Sequence, residues 1–475
     1  MGDGPPGRSL PSPPLKCGVE QQRSDGAQAG SSEPTGTGPV PATLHQPGAS
    51  TFWVVVLLTG VGAGVSAVLL TLLLSSVQRL VWPGSGTLVD VAARAAAWQH
   101  LLVLTAAGLL TGLGQAVLVR LTSGNGIDIT AAIWFSSGRL PALRTLGSAL
   151  LSVVIVGMGA SLGREGAPKQ AGALLANALA DRGRLSEEQR RLLVACGAGA
   201  GMAAAYGVPL GGALFSLEVL RGMLSLRLVL PALMTSLVAA AVSWLVLPNA
   251  PTYLISDRPS SPALAVWALL AGPVAGVASV GYVRLITWAD RHKPGGRLRL
   301  VSPALALGLL GLVSVEFPQL LGNGKDAAQQ AFSGQLSFGL LLALLLLKPL
   351  VTALCLGSGA PGGLFTPSLM AGAMLGGVLG HIWSWFAPGV PVGACAVVGA
   401  AAVLAATTQG PISAVVLMME LTGQDQSFIL PLLVGVVTAT LVSRSIDPRS
   451  IYDAQLSDWQ LAERLKLREQ RPEQA

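Results

Sequence analysis

The chain has 475 residues, of which 51% are hydrophobic and only 11% charged, with a formal net charge of +7. A soluble domain carries about 25% charged residues, so a water-soluble globule is excluded, and the mean hydropathy of +0.62 points the same way. The positive balance lies in a few loops without aromatic interleaving, which bears on membrane orientation rather than on nucleic acid.

In chain order, residues 1–49 are rich in Pro, Gly, Ser, Thr and Gln and are expected to form a disordered cytoplasmic tail. A cleaved leader does not fit, because the first apolar run begins at Trp53 and is too long for one. One membrane domain follows over 50–445. Runs at 52–76, 100–119, 227–247, 263–289, 339–356 and 428–443 are long enough to span. Glycine-interrupted runs at 145–160, 168–180, 192–220, 301–316, 366–387 and 393–422 read as tilted, broken or re-entrant helices. Basic clusters at Arg182–Arg191, Arg291–Arg299 and Arg444–Arg468 mark cytoplasmic loops and a cytoplasmic C-terminus, whereas the 247–259 connection, with Arg258 as its only basic residue, is external. Residues 446–475 form a short cytoplasmic tail in which Leu456–Leu467 suits an amphipathic helix, leaving no room for a soluble regulatory domain.

Cys17, Cys196, Cys355 and Cys395 have no metal-ligand spacing, and three lie in apolar tracts as buried thiols. His45, His100, His292 and His381 stand apart from any ligand pattern. Neither a metal site, a cofactor nor enzyme chemistry is expected.

The chain repeats itself. Gly163 lies 200 positions before Gly363, and Gly172-Ala173 lies 200 before Gly372-Ala373. Gly197-Ala198, Ala203-Ala204, Pro209 and Glu218 return 202 positions later as Gly399-Ala400, Ala405-Ala406, Pro411 and Glu420. The halves run over about 51–247 and 262–445, and inverted repeats are the usual transporter arrangement. Glu218 and Glu420, echoing each other at helix ends, read as structural.

Two strings inside this repeat carry the chemistry: Gly163-Arg164-Glu165-Gly166-Ala167-Pro168 and Gly363-Leu364-Phe365-Thr366-Pro367. Each opens an apolar helical run, so each presents unpaired backbone N–H groups and a positive dipole end at membrane depth. Glu165 reads as a tethered competitor: ionised, it fills an anion's place, and protonated or swung aside it leaves that place open. Arg164 is an electrostatic neighbour that draws anions inward. Leu364 and Phe365 offer amide N–H groups, partial charges that hold an anion without trapping it, and Pro367 suits a first helical turn. Gly124-Asn125-Gly126-Ile127-Asp128 adds a side-chain amide and backbone donors, and Tyr452 offers a neutral hydroxyl after the last span.

These strings resemble the three signatures of the CLC family of chloride channels and chloride/proton antiporters: GSGIP, here GNGID at 124–128; GREGP, here GREGA at 163–167; and GxFxP, here GLFTP at 363–367, with the late tyrosine at Tyr452. The resemblance covers about 51–456. It implies an all-α membrane fold, an inverted-repeat bundle of tilted and broken helices, and a homodimer in a prokaryotic plasma membrane with both termini cytoplasmic. It implies chloride or another small anion as the substrate, with protons as a possible second one. Residue by residue, Glu165 takes the gating role. Leu364 and Phe365 amides, Asn125, the Gly124 and Gly166 backbone and the Tyr452 hydroxyl take the anion, while Gly163, Arg164, Ala167, Gly363 and Pro367 complete the motifs. Three departures stand out. Asn125 replaces a serine and opens selectivity to nitrate and fluoride; Ala167 replaces a proline that comes one position later as Pro168. Val219 stands where many antiporters carry a proton-transferring glutamate, so channel and antiporter both fit.

Overall fold

Long apolar stretches without side-chain hydrogen-bonding demands satisfy their backbone internally as helices, and this computed structural model is helical almost throughout its described residues, 40–41, 45–46, 48–122, 128–255, 262–423, 426–453 and 456–470. The first half comprises α1 (Ala49–Val81), α2 (Leu88–Arg94), α3 (Ala97–Leu121), α4 (Ile129–Phe135), α5 (Ala142–Gly157), α6 (Gly166–Arg182), α7 (Glu187–Tyr206), α8 (Pro209–Leu214) and α9 (Leu226–Ser243). The second comprises α10 (Pro262–Arg291), α11 (Leu298–Glu316), α12 (Lys325–Phe332), α13 (Phe338–Gly357), α14 (Phe365–Ser384), α15 (Val392–Thr408), α16 (Pro411–Thr422) and α17 (Ile429–Ile446), with α18 (Asp458–Gln470) closing the chain. Helix α8 runs on into a π-helical turn over Phe215–Arg221.

Among the described residues, eight helices are long and apolar enough to cross a membrane: α1, α3, α9, α10, α11, α13, α14 and α17. Sequence reading expects six, and the two extra spans correct it. Helix α11 begins at Leu298, ahead of its apolar run, and α14 is unbroken because its glycines are packing positions rather than breaks. The central window of α14 is 83% buried, against 39–50% in the other spans, so α14 runs through protein rather than along lipid.

The repeat is visible in the packing. Helix α6 packs on α7 as α14 packs on α15, α1 on α9 as α10 on α17, and α3 meets its counterpart α11 across the two halves. The matched glycines sit where helices touch. A Cβ on Gly172 would lie 2.0 Å from the Gly197 carbonyl oxygen, and one on Gly372 would lie 2.6 Å from that of Gly399. Breaks recur too: α7 ends at Gly207 with φ 69° before Pro209 restarts the chain, and α15 ends at Gln409 with φ 59° before Pro411.

Helix α18 does not trail away. Trp459 stacks near Phe135 at 6.0 Å, and buried Arg464 pairs with Asp453, donates to the Val219 carbonyl at 3.1 Å and lies 5.2 Å from the Trp134 ring.

Candidate functional site

The two glycine strings meet. Gly163 N–H donates to the Gly363 carbonyl at 2.7 Å, and Gly363 N–H donates back to Gly163 at 2.8 Å, an antiparallel bridge between equivalent residues of the halves. Equivalent segments passing antiparallel through a reciprocal pair are the local mark of a pseudo-two-fold axis. Helices α6 and α14 both start just beyond the bridge, so two positive helix ends converge there.

Glu165 is the N-cap of α6, yet its side chain makes no cap bond to that helix. It reaches across to the opposite half instead. Oε1 accepts the Phe365 N–H at 2.7 Å, at the first residue of α14, and Oε2 accepts the Thr366 hydroxyl at 3.0 Å. The Tyr206 hydroxyl donates to Oε2 at 3.4 Å and lies 2.9 Å from Thr366 Oγ1. Both carboxylate oxygens are hydrogen-bonded, and Glu165 is wholly buried. The glycines make room for it. A Cβ on Gly163 would stand 2.2 and 2.3 Å from the carboxylate oxygens, and one on Gly363 would stand 2.1 Å from Oε1.

One helical turn, about 5.4 Å, further along α6 lies Lys169. It is 6% exposed; its Nζ is 3.4 Å from the Tyr452 hydroxyl and lies over the Tyr452 and Phe215 rings at 4.9 and 5.3 Å. Asp128, at the N-cap of α4, accepts the Thr130 N–H at 2.8 Å. Gly124 and Asn125, the other expected ligands of this region, lie outside the described residues.

Arg164 makes no ion pair with the carboxylate among the described residues. Its guanidinium lies 4.7 Å from the Tyr206 ring centre and lines a polar cavity of about 170 Å³ with Asn323, Lys325, Asp326 and Gln78. Val219 sits in the π-helical turn at the opposite end of the region, near Arg464. Pro168 and Pro367 both occupy the third position of their helices, so the displaced proline of the first string keeps its place in the first turn.

The structure thus brings together Gly163, Glu165, Gly166, Gly363, Phe365 and Thr366, with Leu364 buried at the N-cap of α14. Tyr452 lies beside Lys169. Sequence reading overlooks Tyr206, Thr366 as a donor, and Lys169. The last had a visible signal: a lysine one turn into an apolar helix that begins with a carboxylate.

Fold and site together define a multi-pass membrane protein in which two related halves aim helix N-termini and one buried carboxylate at a common point. Residues 107–444 match the voltage gated chloride channel family, and the chain belongs to that family, the CLC proteins. It is similar to the voltage-gated ClC-type chloride channel ClcB of Citrobacter koseri, 32% identical over 379 residues, covering 78% of this chain and 89% of that protein. It is 34% identical to ClcB of Escherichia coli O17:K52:H18 over 380 residues, with the same coverage. In fold it is similar to a slow cyanobacterial Cl⁻/H⁺ antiporter, with a TM-score of 0.75 at 23% identity over 89% of this chain and all of that one. A CLC-type fluoride/proton antiporter aligns with a TM-score of 0.65 at 22% identity, over 86% of this chain and 98% of that one.

Proposed function

We propose that this chain moves small inorganic anions, chloride first among them, across a membrane along a path that Glu165 opens and closes. The observation that carries the reading is the Glu165 carboxylate on the Phe365 N–H at 2.7 Å. A helix N-terminus with room made by two glycines is an anion's seat, and here a tethered anion occupies it. A mobile anion takes the same donors once the carboxylate is protonated or swings aside, with the Leu364 and Phe365 amides and the Gly166 backbone at the seat. Deeper, the Tyr452 hydroxyl receives it. The Arg164 and Lys325 side chains at the polar cavity attract anions toward the seat. The basic loops put both termini on the cytoplasmic side. The names of the ClcB relatives support chloride as the substrate.

Protons enter through the same carboxylate. Among the described residues Glu165 is the single buried carboxylate at the meeting point, so it is our proton carrier, and exchange with the far side proceeds past Val219 without a second glutamate. In liposomes loaded with KCl, valinomycin should release chloride well above protein-free vesicles. Glu165→Gln, which keeps the volume but cannot ionise, should retain anion flux and lose any proton movement. The reading fails if chloride, nitrate and fluoride all stay inside under every gradient; proton pumping by Glu165→Gln would reassign the carrier.

A further inference from the structure

Lys169 has no part in the anion seat described so far. It is 94% buried by its 6% exposure, on a helix inside the membrane domain, and its single hydrogen bond among the described residues is a long one, 3.4 Å, to the Tyr452 hydroxyl. No carboxylate among the described residues comes within ion-pair distance of it, although Glu165 and Asp128 are the charged groups near enough to act on it. An ammonium has three N–H donors. Two aromatic faces, Phe215 and Tyr452, flank the charge and favour keeping it. A buried cation with donors to spare, one turn below a competing carboxylate and against a hydroxyl, is arranged to receive an anion.

We propose that Lys169 is a direct anion ligand: its ammonium and the Tyr452 hydroxyl both donate to one inorganic anion, a turn deeper than the Glu165 seat. This rests on the anion-transport reading. A site made only of amide and hydroxyl dipoles holds a halide loosely enough to release it quickly. A full positive charge in a region of low dielectric attracts it far more strongly. The deeper site therefore binds more tightly and releases more slowly, and Lys169 acts as the fixed counter-charge around which Glu165 and the mobile anion alternate.

Chloride binding to the purified full-length protein in detergent, measured by calorimetry with KCl, tests this together with the chloride dependence of efflux from liposomes. Lys169→Met should weaken chloride binding about tenfold or more, a change of about 1.4 kcal/mol per tenfold. It should also raise the half-saturating chloride for efflux in parallel. Lys169→Arg, which keeps the charge, should retain most of the affinity. If Lys169→Met is not monodisperse, Lys169→Gln carries the comparison with the same expectation. Wild-type affinity and half-saturation in the neutral variants would overturn the assignment. So would loss of proton movement at unchanged chloride affinity, which makes Lys169 a proton carrier instead. If the wild type binds and moves no anion, the transport reading itself falls, and the assignment with it.

Discussion

Glu165 is held in place by neutral donors. A carboxylate at the bilayer centre costs about 2.5–3.5 kcal/mol on insertion scales, and hydrogen bonds to a charged group return about 1.5–3 kcal/mol each, so the Phe365 N–H and the Thr366 and Tyr206 hydroxyls suffice to keep it buried. In the proposed transport cycle they are weak enough singly to be exchanged for another anion. The seat depends on Gly163, whose backbone takes no positive φ, so alanine fits its backbone but not the space in front of it. Gly163→Ala should therefore push the carboxylate out. Chloride efflux from liposomes should rise and lose much of its pH dependence, approaching that of Glu165→Ala; unaltered pH dependence would mean that the carboxylate does not gate from this position. Glu165 and its glycines were legible in the sequence because a carboxylate among glycines interrupts an apolar tract. Tyr206 was not, since a tyrosine at the end of a helix acquires a role only when α14 is laid against it. Lys169 was visible but unassigned, because its meaning comes from Tyr452, 283 positions away.

At the scale of elements, the broken helices cap one another across the halves. Glu420 accepts the Leu210 and Gly211 N–H groups at the start of α8, at 3.0 and 2.7 Å. Glu218 accepts those of Ile412 and Ser413 at the start of α16, at 3.1 and 2.6 Å. Each carboxylate thus serves donors that its partner's helix cannot satisfy alone. Glu218→Ala and Glu420→Ala should each cost about 1–2 kcal/mol, the size of a lost helix cap, seen as lower thermal stability in detergent with anion selectivity unchanged. A shift in selectivity without loss of stability would give these residues a place on the path instead. The structural reading of both glutamates could be made from their 202-residue echo, but their reciprocity could not, because it needs α8 and α16 in contact. Span length was legible for the uniform runs and misjudged for α11 and α14, where arginines at one helix start and glycines along the other break the hydropathy pattern without breaking the helix.

For the whole molecule, duplication supplies what one half lacks. Half one brings the carboxylate, half two brings the amide it occupies, and the reciprocal Gly163–Gly363 bridge sets them face to face. The repeat was readable as matched glycines at a 200-residue offset; the antiparallel meeting of the two strings needed three dimensions. The central proposal is that Glu165 sits where a mobile anion binds. Crystals of the wild type and of Glu165→Ala soaked in bromide test it by anomalous scattering. A bromide peak within hydrogen-bond distance of the Phe365 nitrogen in Glu165→Ala, absent there in the wild type, is the predicted result; no peak at that nitrogen in the variant, or an equal peak in both, would contradict it.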